Sequence, residues 1–126
     1  MTTPKPIIYG IESVQAFRDL IDANQGLLII KFGADWCGPC KRIEPQIKQS
    51  FRLMPDNVQC VVIDVDESLE VYGFLKTKKM LNGIPAILAY KTENKTYIPD
   101  EFVVGADPVQ VDEFFKTCFR YATKKG

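Results

Sequence analysis

Apolar positions along this chain repeat with two different periods, and the alternation between them outlines the fold. Val14, Phe17 and Leu20/Ile21 recur at helical spacing, and Gly26 follows as a stop. Leu27 to Ala34 is a continuous apolar run broken only by Lys31, the signature of a strand buried on both faces. Ile43, Ile47 and Phe51 mark one face of a helix that ends before Pro55. Val58 to Val65 is β-branched and apolar on both faces, a second buried strand. A helix is expected from Ser68 to about Leu81. Ala86 to Tyr90 and Phe102 to Val104 read as two strands of a hairpin with the polar tip Thr92-Glu93-Asn94-Lys95. The last helix carries the clearest signals: Asp107 as N-cap with Gln110 three residues on, Pro108 at the first helical position, and Lys124-Lys125 after the far end. Its apolar stripe is Val111, Phe114/Phe115, Cys118 and Ala122. Alternating βαβα units followed by a hairpin and a helix predict an α/β fold of three layers, α/β/α, around a central mixed sheet.

Bulk properties narrow the classes of function. At 126 residues the chain has room for one domain with a genuine core, here taken as residues 1–126. Sixteen basic residues balance sixteen acidic ones, so no overall field argues for nucleic acid or acidic lipid. The longest aliphatic run, Leu27 to Ile30, is far too short to cross a bilayer. Met1 to Gly10 is polar, contains Pro4 and Pro6, and has no apolar stretch of signal-peptide length, so a cytoplasmic protein is expected; a monomer is the separate expectation for its oligomeric state.

The chemistry concentrates in Trp36-Cys37-Gly38-Pro39-Cys40, where the first buried strand gives way to a helix. Two thiols three residues apart at a helix start sit on adjacent turns, within the roughly 4.4–6.8 Å between α-carbons that a disulfide needs. The helix N-terminus offers partial positive charge and unpaired N–H groups, which favour a thiolate at Cys37. Gly38 allows close approach of a partner backbone, and Pro39 stiffens the loop without removing a needed hydrogen bond. Reversible thiol–disulfide exchange follows: Cys37 attacks, a mixed disulfide forms, Cys40 resolves it. The same spacing could be half of a zinc site. Zinc would need two more ligands, yet the chain has no histidine, and Cys60 and Cys118 are isolated, so no metal is expected. The missing histidine also excludes a Cys–His nucleophile pair. Cys60 and Cys118 lie among apolar residues and are expected to be small buried hydrophobes.

Trp36-Cys37-Gly38-Pro39-Cys40-Lys41 resembles the active-site sequence of the thioredoxin family. Further matches follow in order: Phe32 and Ala34 before the site, Pro45 where the family's helix is kinked, Asp64-Val65-Asp66 ending the next strand, Gly83-Ile84-Pro85, and Val104-Gly105-Ala106. The resemblance spans residues 10 to about 122 and implies the thioredoxin fold. It implies a cis bond before Pro85 and a docking groove for extended polypeptide formed by Trp36, Gly38, Pro39, Ile84, Pro85 and Gly105, with Trp36 beside an exposed thiol. It also implies protein disulfides as substrates, no bound cofactor beyond the redox-active Cys37–Cys40 pair, and electrons from a partner reductase of the thioredoxin-reductase type. The chain itself shows no Gly-rich dinucleotide fingerprint.

Two departures from the family pattern stand out. Lys31, six residues before Cys37, occupies the position where the family has a buried aspartate, and Val62 stands where many members place its lysine partner. Alternation puts Asp64 on the face of Val62. Lys31 and Asp64 are therefore candidate modulators of proton transfer or thiol pKa, as a relocated ion pair, while Lys31 could instead snorkel to water. If charged it would stabilise a thiolate; if neutral it could accept the proton of Cys40. The second departure is length. The stretch from Asp66 to Pro85, with Lys76, Lys78 and Lys79, is about one helical turn longer than in the usual bacterial member. The hairpin holding Glu93, Asn94, Lys95, Tyr97, Pro99 and Asp100 is longer by a similar amount. These segments are solvated surface or they select a partner. A thioredoxin-fold binding or chaperone-like subunit with a dedicated partner is thus the alternative to a disulfide reductase. An oxidase or isomerase is disfavoured by Gly38-Pro39.

Overall fold

The computed structural model describes residues 4–125; Met1 to Thr3 and Gly126, at the ends of the 1–126 span, lie outside the described residues. Nine elements follow one another: β1 Ile8–Tyr9, α1 Val14–Ala23, β2 Leu27–Gly33, α2 Gly38–Arg52, β3 Val58–Asp64, α3 Leu69–Thr77, β4 Ala86–Lys91, β5 Glu101–Val104 and α4 Pro108–Lys125. The strands form one mixed sheet in the order β1-β3-β2-β4-β5. β1 and β2 run parallel to β3, while β4 is antiparallel to β2 and β5 to β4. Side-chain alternation splits the core in two. Leu27, Ile29, Cys60, Ile87 and Val103 face α2 and α4 through Ile43, Ile47, Phe51, Val111, Phe115 and Cys118. Leu28, Ile30, Phe32, Val61, Ile63 and Leu88 face α1 and α3 through Phe17, Ile21, Val71 and Leu75. Helices on both faces explain why β2 is buried at every position.

Local chemistry fixes the helix starts. Ser13 Oγ accepts from the Ala16 N–H at 3.0 Å and Asp107 Oδ1 accepts from the Val109 N–H at 2.9 Å. The structure corrects the expected boundaries at several points. β1 falls in the N-terminal stretch read as polar, because two residues are too few to show a period. α1 ends at Asn24 rather than at Gly26. Gly26 serves a different purpose, since any Cβ there would collide with the backbone carbonyl of Asn57. Lys124 and Lys125 lie inside α4 rather than beyond it.

α3 stops at Thr77, short of Leu81. Lys79 adopts φ 63°, the Lys79 N–H donates to the Lys76 carbonyl at 2.9 Å, and the Met80 N–H donates to the Leu75 carbonyl at 2.8 Å. These two bonds form a Schellman cap. Glycine normally fills the left-handed position, so a lysine there hid the helix end. An L-residue in this conformation costs about 1–2 kcal/mol, and Lys79→Gly is expected to stabilise the fold by about 1 kcal/mol, raising Tm by about 4 °C. A lower melting temperature in a thermal scan would contradict this.

The two longer segments pack on each other. Tyr97, in the connection 92–100, meets Phe74 of α3 edge-on at 5.6 Å, and Lys78 Nζ lies 5.6 Å from the Tyr97 ring and 5.8 Å from the Phe74 ring. The Tyr90 hydroxyl donates to the Tyr97 carbonyl at 2.8 Å, and Lys95 Nζ donates to the Ile21 and Asp22 carbonyls at the C-terminal end of α1. Lys78 and Lys95 are therefore holding groups rather than simply solvated charges, and the expected hairpin tip is an anchored nine-residue loop.

Candidate functional site: a cysteine pair at a helix start

The ends of β2, β3 and β5 and the start of β4 meet at one edge of the sheet, as the registers Phe32↔Ala86, Gly33↔Asp64 and Ala86↔Val104 require. The chain leaves β2 at this edge through Ala34-Asp35-Trp36 and enters α2 at Gly38, with Cys37 as N-cap. Open α/β sheets place their chemistry at such carboxyl ends.

Cys37 and Cys40 are joined by a disulfide, with α-carbons 5.3 Å apart. Cys37 Sγ also accepts from the Cys40 N–H at 3.2 Å, as a helix cap does. Any charge that develops on Cys37 thus faces the positive end of α2 and a backbone donor. Cys37 is only 5% exposed and Cys40 2%. The exposed thiol expected beside Trp36 is corrected: in the disulfide form Cys37 is buried, flanked by exposed Trp36, Gly38 and Pro39. Cys40 is covered because α2 turns it toward β2.

Trp36 is 69% exposed, and its indole N–H donates to Asp66 Oδ2 at 2.8 Å. Asp66 itself is positioned by β3, where its N–H donates to Asp64 Oδ1 at 2.8 Å. An exposed aromatic held by a hydrogen bond is a contact surface rather than a core residue. Across the same edge, the Ile84–Pro85 bond is cis, and the Pro85 carbonyl accepts from the Gly105 N–H at 2.8 Å. Gly105 has φ 99°, which a side chain would strain. Ile84, Pro85 and Gly105 therefore form one unit beside β4 and β5, on the edge that also bears Trp36, Gly38 and Pro39.

Behind the disulfide lies a cavity of about 190 Å³ lined by Lys31, Gly33, Cys40, Glu44, Val62 and Asp64 among others. Lys31 is 7% exposed, so it does not snorkel to water. The expected Lys31–Asp64 ion pair is also corrected: among the described residues Lys31 makes no ion pair, and Glu44 pairs with Lys48 instead. Burial holds the Lys31 amine below its ordinary pKa, aided by Lys48 and opposed by Glu44 and more weakly by Asp64. Gly33 makes the arrangement possible. The point where its Cβ would stand is 3.1 Å from Lys31 Nζ and 3.5 Å from Cys40 Sγ, so the amine and the sulfur share the space an absent side chain leaves.

Cys60 and Cys118 are free, buried, and pushed up to about 12 by burial. Thiolate is the reactive form, so both are inert near neutral pH. In the reduced protein an alkylating agent is expected to label the Cys37/Cys40 pair and to reach Cys60 and Cys118 only after unfolding; mass spectrometry of the labelled peptides checks it. Labelling of Cys60 in the native state at a similar rate would contradict the burial argument. Among the described residues no group of three or more His, Cys, Asp and Glu side chains is placed to hold a metal ion.

Sequence reasoning missed three contributors. Asp66 was visible only as part of a strand end, with nothing to tie it to Trp36. Glu44 reads as a solvated helix charge. Gly33 carried a usable signal, since glycine inside a strand marks close approach of other groups.

The thioredoxin family model matches residues 10–116. The chain is 33% identical over 107 residues to "Thioredoxin-2" of Pyricularia oryzae, which covers 85% of this chain and 57% of that protein. It is 32% identical over 119 residues to "Thioredoxin H8" of Arabidopsis thaliana, covering 92% and 72% respectively. The chain thus spans little more than half the length of the first of these relatives. The fold is similar to that of oxidized mitochondrial thioredoxin 3 from Saccharomyces cerevisiae, with TM-score 0.69, 30% identity, and coverage of 87% of this chain and 94% of that one.

Proposed function

The chain belongs to the thioredoxin family, and from that premise we propose that it is a thiol–disulfide oxidoreductase that reduces protein disulfides through its Cys37–Cys40 pair. The observation that carries this reading is the disulfide capping the N-terminus of α2, between exposed Trp36, Gly38 and Pro39. In the reduced protein the Cys37 thiolate attacks one sulfur of a substrate disulfide. A mixed disulfide forms and the substrate's other sulfur leaves as a thiolate that takes a proton. Cys40 then loses its proton and attacks Cys37 Sγ, which restores the internal disulfide and releases the second substrate thiol. Two electrons pass from the protein to the substrate.

Trp36, Gly38, Pro39, Ile84, Pro85 and Gly105 are the docking surface in this reading. An extended substrate segment would lie along the sheet edge and use main-chain hydrogen bonds, as in strand addition. Electrons return from a partner reductase of the thioredoxin-reductase type, and no further cofactor is needed. A reducing compartment such as the cytoplasm suits a dithiol that must stay available, and the cycle requires only one copy of the chain.

The test is catalytic reduction of insulin's interchain disulfides with dithiothreitol as electron source. Precipitation of the freed chain is expected to accelerate in proportion to added protein. A rate equal to that of dithiothreitol alone would overturn the reading.

A further inference from the structure

β5 is an edge strand, with β4 on one side and, among the described residues, no strand on the other. The pairing with β4 settles which of its backbone groups are free. The Gly105 N–H donates to the Pro85 carbonyl at 2.8 Å, and bonded pairs recur at every second residue of an antiparallel ladder. Val103 therefore bonds to Ile87, whereas Phe102 and Val104 turn their N–H and carbonyl groups to the open side. Sheet edges are normally guarded by proline, lysine or a bulge. β5 has such a guard at one end only, where Asp100 donates its N–H to the Ala89 carbonyl while Glu101 also stands opposite Ala89, the mark of a bulge. Phe102 to Val104 has none.

The side chains of this strand also suit a second chain. Phe102 and Val104 share a sheet face with their partners Leu88 and Ala86, which are buried in the layer of α1 and α3. Neither helix covers β5, and Phe102 is 65% exposed and Val104 37%. On the other face, a groove of about 510 Å³ lies between β5 and α4. Val103, Val109, Gln110, Thr117 and the carboxylates Glu101 and Glu113 line it, and no basic residue does. Lys116 of the same helix is bonded to Asp112 instead, at 3.0 Å. The open edge is thus apolar on one face and acidic on the other.

We propose that β5 docks an extended segment of a partner polypeptide in which apolar residues alternate with lysine or arginine. The segment becomes a sixth strand, bonded to the N–H and carbonyl groups of Phe102 and Val104. Side chains alternate along a strand, so its apolar residues lie beside Phe102 and Val104 while its cations stand over the groove, against Glu101 and Glu113. A second copy of this chain suits the edge poorly, because it brings its own Glu101 and Glu113 to the same groove, like charge against like. The surface uses no redox chemistry and stands apart from the dithiol reading. β5 runs directly into Gly105, so a partner held there stays at the sheet edge that bears Cys37, at raised effective concentration.

The test uses the full chain in its disulfide form and cysteine-free peptides, so that no mixed disulfide forms. A dye-labelled peptide alternating valine with lysine is titrated with the protein at low salt and followed by fluorescence anisotropy. A matched peptide carries glutamate in place of lysine. The lysine peptide is expected to bind about tenfold or more tightly than the glutamate one, and the preference to shrink as salt is added. Hydrogen exchange read by NMR locates the contact. At saturation the Phe102 and Val104 amides should slow about tenfold or more, while the Val103 amide, already bonded to Ile87, should not change. Glu113→Gln, on the exposed flank of α4, should weaken binding about threefold. Phe102→Pro should weaken it about tenfold, because it removes an outward N–H that β4 does not use. Equal binding of the two peptides, or binding of neither, overturns the proposal. Protection that maps away from β5 in the wild-type chain overturns it whatever the variants do. Slowing of the Phe102 and Val104 amides with rising protein concentration and no peptide overturns it in favour of a second copy.

Discussion

Cys37→Ser is expected to reduce insulin no faster than dithiothreitol does alone. A serine hydroxyl at the start of α2 has the position of the nucleophile without its chemistry, because the field of one helix N-terminus shifts a pKa by far less than an alkoxide would need. The fold should be unaffected, since serine is a good N-cap and can still accept from the Cys40 N–H. Cys40→Ser separates the two roles. Its Cys37 should still attack, and the mixed disulfide should then persist, so that substrate proteins accumulate on a non-reducing gel and vanish when dithiothreitol is added. Full turnover in Cys37→Ser would mean that the reactive sulfur has been misassigned.

The largest effect on stability is expected at the opposite layer. Phe17 has no exposed surface and packs edge-on against Tyr90 at 5.9 Å and tilted against Phe74 at 6.4 Å. Phe74 in turn holds Tyr97, and the Tyr90 hydroxyl holds the backbone of the same loop. Phe17→Ala leaves a cavity between α1, α3 and β4 and should cost about 3–5 kcal/mol, a large part of the stability of a domain this size. Urea unfolding followed by far-UV circular dichroism measures it. A loss below about 1 kcal/mol would show that α1 closes onto the sheet without this side chain.

What the sequence revealed, and what it hid, follows from how local each determinant is. β2, β3 and the stripe of α4 were legible because burial on one or both faces imposes a repeat on consecutive residues. The Cys37–Cys40 pair was legible because its spacing and the helix start lie within five residues. The Schellman cap was not, since Lys79 adopts a conformation that only the surrounding hydrogen bonds disclose. The Trp36–Asp66 bond and the cavity shared by Lys31, Glu44 and Cys40 join residues far apart in the chain, and no local pattern records such pairings. Lys31 shows the limit most clearly. A lone lysine in an apolar run signals something unusual, but only the geometry shows that it is buried, unpaired with Asp64, and next to the resolving sulfur.

The central claim is that the Cys37–Cys40 dithiol itself supplies the two electrons that open a protein disulfide. Single-turnover stoichiometry tests it most directly: fully reduced protein is mixed with excess insulin and no other reductant, quenched by alkylation, and digested. The account predicts one substrate disulfide opened per molecule of protein, with Cys37 and Cys40 recovered in one internally linked peptide and Cys60 and Cys118 still unlinked. Substrate reduction with Cys37 and Cys40 still alkylatable, or no reduction at all, would contradict it.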